Sequence, residues 1–132
     1  MGEKIQDYRE LLQKLGIEEL NAMQQEAYQA IAERPEVVLL SPTGTGKTLA
    51  FLLPLLDRLE PELQAVQALI LTPSRELALQ IEQVLREMGS GFKVNAVYGG
   101  RSRYKDRQEL QHPPAVLIGT PGRVADHFRR DP

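Results

Sequence analysis

The chain alternates between short apolar runs and longer stretches in which apolar residues recur every three or four positions. Three segments share one design. Each has four or five apolar residues in a row, then Ser or Thr followed by Pro, then a polar turn opening an amphipathic stretch. They are VVLL-SPTGTGKTLAFLLPLLDRL from residue 37, ALIL-TPSRELALQIEQVLREMG from 68, and AVLIG-TPGRVADHFRR from 115. Unbroken apolar strands suit a sheet covered on both faces, and such sheets are parallel with helical crossovers. The Ser/Thr-Pro pair fits a strand exit and helix entry, because Pro suits the first helical turn and Ser or Thr can cap it. GFKVNAVYGG adds a fourth strand, stopped by Gly99 and Gly100, and residues 102–111 form the next crossover helix. Two helices, about 4–15 and about 22–33, precede the first strand. Pro54 lies inside the helix that follows SPTGTGKT and should kink it or remove a hydrogen bond. The pattern predicts an open α/β fold, a parallel sheet with helices on both faces. Ligands bind such sheets beyond the carboxyl ends of their strands, where all three Ser/Thr-Pro turns and the double glycine fall.

Composition narrows this picture. At 132 residues the chain is one domain or a piece of one, and 42% hydrophobic with 26% charged residues is ordinary for a soluble protein. The absence of cysteine excludes disulfides and thiolate metal sites. The N-terminus is charged and helical in pattern, unlike a signal peptide, and no apolar run approaches the roughly 20 residues needed to cross a membrane. A cytoplasmic protein without membrane contact is expected. The net charge of −2 is unevenly spread: residues 1–89 carry 8 Lys/Arg against 14 Asp/Glu, residues 90–132 carry 8 against 4. The basic C-terminal third is suited to an anionic partner.

SPTGTGKT (41–48) has the chemistry of a phosphate-binding loop. Gly44 and Gly46 allow conformations that aim successive N–H groups at an anion, and the helix that follows adds its positive end. Thr43, Gly44, Thr45 and Gly46 would cradle phosphates, Lys47 would reach the outer ones, and the Thr48 hydroxyl would ligate magnesium. The general pattern begins with Gly where Ser41 stands. His112 and His127 lack carboxylate or histidine neighbours at metal-ligand spacing and are read as neither ligands nor catalysts.

Taken together, these segments resemble the first RecA-like domain of a DEAD-box RNA helicase. SPTGTGKT is similar to that family's motif I, TPSREL (72–77) to motif Ia with Ser74 in place of Thr, GG (99–100) to the glycine doublet, and TPGR (120–123) to motif Ib. GIEELNAMQQEA, within 16–27, resembles the Q motif, although the family's Pro-Thr-Pro run is here Leu20-Asn21-Ala22. The resemblance implies a P-loop NTPase fold, ATP and Mg2+ as cofactors, Lys47 and Thr48 in the catalytic centre, and Gln24 reading the adenine edge. Asn21-x-x-Gln24 also reads as a helix capping box, and the two roles are compatible. Tyr8 is the upstream aromatic available to stack on the base. RNA, single-stranded or duplex, would meet Pro73, Ser74, Arg75, Gly99, Gly100, Thr120, Pro121, Gly122 and Arg123 through its backbone, with little sequence preference. The basic run RSRYKDRQE (101–109) is either a solvated helix face or an RNA contact.

The resemblance also implies an acidic strand, ending in Asp-Glu, that helps hold the magnesium. Every apolar run in the chain ends otherwise, and Asp57 belongs to the helix after the loop. We therefore expect an incomplete domain: an N-terminal portion that stops before the DEAD strand, binds nucleotide weakly, does not hydrolyse it alone, and self-associates through open sheet edges. Two rival readings are a small P-loop phosphotransferase and a non-catalytic RNA-binding piece with a vestigial loop.

Overall fold

A computed structural model describes residues 8–100 and 102–130. The chain divides into two compact units, Met1–Leu59 and Glu60–Pro132. Arg101 and residues 4–7 of the first expected helix lie outside the described residues.

In the first unit, α1 (Tyr8–Lys14) is followed by α2 (Ala22–Glu33) and α3 (Lys47–Asp57). The capping box at the start of α2 is present in full: the Gln24 N–H donates to Asn21 Oδ1 at 2.8 Å, and Gln24 Oε1 accepts from the Asn21 N–H at 2.9 Å. α3 packs against α2 and buries Leu49, Ala50, Leu52, Leu53 and Leu56. It continues through Pro54, whose missing N–H leaves the Ala50 carbonyl without its usual helical donor. The Tyr28 hydroxyl donates to Asp57 Oδ2 at 3.4 Å, tying α2 to the end of α3. Burial and, next, the Asp57 charge and hydrogen bond raise the Tyr28 pKa above its ordinary value.

One expected strand is not formed. Residues 37–40 are extended but belong to no sheet, and Val38 and Leu40 are 86% and 89% exposed. An isolated extended segment has no acceptors or donors for its ladder, so β-branched content alone does not make a strand. Among the described residues no neighbouring strand pairs with it, and the sheet has three strands in place of four.

Those three strands lie in the second unit: β1 (Ala68–Leu71), β2 (Val94–Val97) and β3 (Val116–Gly119). All are parallel, in the order β1-β3-β2, with Ala68 and Val94 both level with Val116. Every residue of β2 and β3 is buried, as expected for strands covered on both faces. β1 has one paired edge, and Leu69 and Leu71 stay exposed. The crossovers are α4 (Arg75–Met88) and α5 (Arg103–Leu110), and α6 (Pro121–Arg130) leaves β3. α4 packs against β2 and β3 and buries Ala78, Ile81, Leu85 and Met88, spaced three and four apart along one face. Burial of each of the three larger side chains contributes roughly 1.5–3 kcal/mol. Val97, Leu117 and Val124 form a second cluster with Leu110 against it, which joins the sheet to α5 and α6.

Gly119 shows why β3 must end in glycine. A Cβ there would lie 2.5–2.9 Å from Val124 Cγ2, Val97 Cγ2 and the Val97 carbonyl oxygen. The first turn of α6 sits directly on this backbone.

Candidate nucleotide and RNA sites

The phosphate loop lies wholly in the first unit. Gly44 and Gly46 have φ of +84° and +88°, in the left-handed region that side chains disfavour. Gly46 caps α3 without a side-chain hydrogen bond, so the N–H groups of Lys47, Thr48 and Leu49 have no intrahelical acceptor and lie at the positive helix end. Among the described residues, no ion pair engages the half-buried Lys47 ammonium. The result is a ring of unspent donors with one cation, which is what a polyphosphate needs.

Two features brace this loop from outside the motif. The Asn21 amide nitrogen donates to the Thr45 carbonyl at 3.0 Å, and the Gln24 amide nitrogen donates to the Gly46 carbonyl at 3.2 Å. These bonds turn both carbonyls toward α2. Inside the loop, the hydroxyls of Ser41 and Thr45 form a short hydrogen bond, and Thr45 Oγ1 also donates to the Pro42 carbonyl at 2.7 Å. Ser41, the departure from the general pattern, thus ties the loop's first residue to its fifth. The sequence singled out Gln24 and Ser41; the Ser41 bond spans four residues, but the Asn21 and Gln24 contacts, across 24 and 22 residues, leave no local signal.

Gln24 is buried, with its oxygen on the Asn21 N–H and its nitrogen on the loop. Tyr8 packs its ring against Tyr28, with centroids 6.3 Å apart and planes inclined by 41°. No group of three His, Asp or Glu suited to a metal occurs among the described residues, and the hydroxyl expected to meet magnesium is that of Thr48, in the first turn of α3. One hydroxyl is what magnesium would need from the protein if phosphate and water supplied its other ligands.

The second unit brings together the other predicted residues at the carboxyl ends of its strands. Thr72 is buried, its N–H donates to the Gly119 carbonyl at 2.9 Å, and its hydroxyl donates to the Ser74 carbonyl at 3.1 Å. Ser74 caps α4 by accepting from the Leu77 N–H at 3.2 Å, so serine performs the capping that threonine would. Pro73 and Arg75 are exposed, and Arg75 Nη1 lies 3.2 Å from where a Cβ on Gly100 would be. Arg75 also stands 3.7 Å from Glu76, both largely exposed, a pair of little energetic weight. Gly99, Gly100, Pro121 and Gly122 are exposed, and the Thr120 N–H donates to the Val97 carbonyl at 3.3 Å, joining the β3 exit to the end of β2. Arg123 differs from the rest: its guanidinium is mostly covered and its Nε donates to Asp106 Oδ2 at 3.2 Å. His127 Nε2 meets the same oxygen at 3.2 Å. The basic run 101–109 therefore contains one fully buried carboxylate, which reading by composition did not separate from its neighbours.

The glycine-rich loop of the first unit and the parallel sheet of the second are the features that a comparison with known families can place. The family model of the DEAD/DEAH box helicases matches residues 21–132, and the chain belongs to that family. It is 40% identical over 124 residues to the ATP-dependent RNA helicase DeaD of Klebsiella pneumoniae, covering 92% of this chain and 19% of that protein. It is 43% identical over 111 residues to the probable ATP-dependent RNA helicase YfmL of Bacillus subtilis, covering 83% and 30%, and 37% identical over 131 residues to CshC of Bacillus cereus, covering 95% and 34%. The chain thus spans about a fifth to a third of the length of these relatives. The crystal structure of a hypothetical ATP-dependent RNA helicase from Sulfolobus tokodaii superposes with a TM-score of 0.78 at 29% identity, over 98% of this chain and 37% of that one. The RecA-like fold follows. No described helix is long and apolar enough to cross a membrane.

Proposed function

We propose that the chain is the nucleotide- and RNA-contacting portion of a DEAD-box ATP-dependent RNA helicase. In this reading it spans the start of the first RecA-like domain: Q motif region 16–27, loop 41–48, motif Ia 72–77, glycine doublet 99–100 and motif Ib 120–123. The observation that carries it is the loop itself, with its uncapped helix N-terminus, its left-handed glycines and a Lys47 that no ion pair engages among the described residues. Lys47 neutralises the outer phosphates of ATP, Thr43 to Gly46 cradle them, and Thr48 supplies one oxygen to magnesium. Gln24 reads the adenine edge by exchanging one of its present hydrogen bonds, and Tyr8 stacks nearby. The whole protein couples ATP hydrolysis to RNA remodelling, which is positioning and charge stabilisation by metal and basic groups. These residues hold nucleotide, and by themselves turn it over near background.

RNA lies over the strand-exit turns. Pro73, Ser74, Arg75, Gly99, Gly100, Thr120, Pro121, Gly122 and the main chain of Arg123 meet its backbone, so binding has little sequence preference and weakens steeply with salt. The open edge of β1 and the unpaired 37–40 segment favour self-association. A cytoplasmic location fits the cysteine-free composition.

Calorimetric titration with ADP, with and without magnesium, tests the nucleotide site. The chain is expected to bind with little magnesium dependence, and Lys47→Ala to lower affinity by roughly 10- to 150-fold, the equivalent of a charge-assisted hydrogen bond of roughly 1.5–3 kcal/mol. Equal affinity for the two proteins would remove Lys47 and the loop from the assignment.

A further inference from the structure

Arg123 closes motif Ib, and its charge makes it an obvious phosphate ligand. Its surroundings give the side chain another task. The side chain is 13% exposed, and its Nε faces Asp106, a carboxylate on α5 with no exposure at all. One turn further along α6, His127 reaches the same Asp106 oxygen and is itself buried. Residues four apart share a helix face, so two side chains of α6 grip one carboxylate of α5. A second bridge runs the other way, from Arg103 of α5 to Asp126 of α6 at 3.1 Å. A buried carboxylate is costly unless paired and hydrogen-bonded, so Asp106 holds Arg123 where it is.

The placement of the two helices gives this clamp its purpose. α5 starts three residues after Gly100, and α6 starts directly after Thr120. Each helix therefore carries one of the turns assigned to RNA. We propose that Asp106 and the Arg123 side chain are positioning residues for RNA binding: they lock the glycine-doublet turn to the first turn of α6. The phosphate is met by the main-chain N–H groups of Gly122 and Arg123, while the guanidinium stays on α5. This rests on the RNA reading above. Its electrostatic corollary is specific. A charge compensated inside the protein releases no counterion from the nucleic acid, whereas each true phosphate contact adds about 0.7 to the salt slope for a single strand.

The test is fluorescence anisotropy of a short labelled oligouridylate with the 132-residue chain across a salt series. Asp106→Asn, which keeps shape and one acceptor, is compared with Arg123→Gln and with the double variant. The expected result is a similar loss of about two- to tenfold for each single variant, a double variant no weaker than the poorer single, and an unchanged slope, the signature of coupled residues. A slope lowered by about 0.7 in Arg123→Gln, with Asp106→Asn binding as well as the unmodified chain, overturns the proposal. A second readout does not depend on variant stability. On RNA addition, the NMR signals of the Gly122 and Arg123 amides are expected to move while the Arg123 Nε–H signal stays, and movement of the Nε–H signal would also overturn it. No binding by the unmodified chain would instead refute the RNA reading, and this proposal with it. Binding with a changed slope leaves that reading standing.

Discussion

The glycine-rich loop of the first unit and the strand-exit turns of the second each lead into a helix N-terminus, but they are held by different means. The loop follows a segment that has no sheet to hold it, and its order comes from side chains: Asn21 and Gln24 reach its carbonyls, and Ser41 bridges to Thr45. The exit turns are pinned by backbone bonds between strand ends, Thr72 to Gly119 and Thr120 to Val97, with Gly119 allowing α6 to sit on the sheet. A loop held by side chains is open to tuning by single polar residues. A turn held by a sheet changes only when the sheet does.

Gly119→Ala attacks the sheet-held side and should have the largest effect on stability. Its methyl group would press on the Val97 carbonyl and on two valine side chains. A loss of roughly 1–3 kcal/mol is expected, read as a lower urea midpoint, because overpacking forces backbone to move. An unchanged midpoint would mean that the α6 contact is looser than described.

Asn21→Ala attacks the side-chain-held loop and removes both the α2 cap and the donor to Thr45. The cap alone is worth about 1 kcal/mol. Asn21→Asp keeps the cap oxygen and deletes only the donor, so it should retain stability while weakening ADP binding in calorimetry. If Asn21→Asp binds ADP as tightly as the unmodified chain, the Thr45 bond does not order the loop.

The smallest effect belongs to Tyr28, at the far end of α3. Its folded pKa is raised by burial and then by Asp57, so the stability it contributes is fully present below the unfolded value of about 10 and is lost as pH rises through the folded value. Tyr28→Phe should therefore differ little near neutrality, where one long hydrogen bond disappears, and should lose less stability than the unmodified chain above about pH 10. Parallel melting curves from pH 8 to 11 would check this, within the roughly 1 kcal/mol of a single hydrogen bond.

Local pattern was enough for much of this protein. Apolar spacing and caps placed α2 at the expected residues, and the Gly-rich run and Ser/Thr-Pro pairs marked the turns at the ends of α3, α4 and α6. These are short-range effects: periodicity, glycine conformation and capping act within a few residues. The ordered motifs likewise made the helicase family legible in the sequence. Other features depended on tertiary structure because they require partners distant in sequence. Residues 37–40 have strand composition but no neighbour to pair with, so they remain exposed. Asn21 and Gln24 read as a helix cap, and they also reach carbonyls of the loop 24 and 22 residues away. Arg123 looked like an RNA contact of motif Ib, and Asp106 was one residue of a basic run read as a solvated face or an RNA contact; the two form an ion pair 17 residues apart. Charge type is written in the sequence, but whether a charge faces solvent or another charge is decided by which helices the sheet brings side by side.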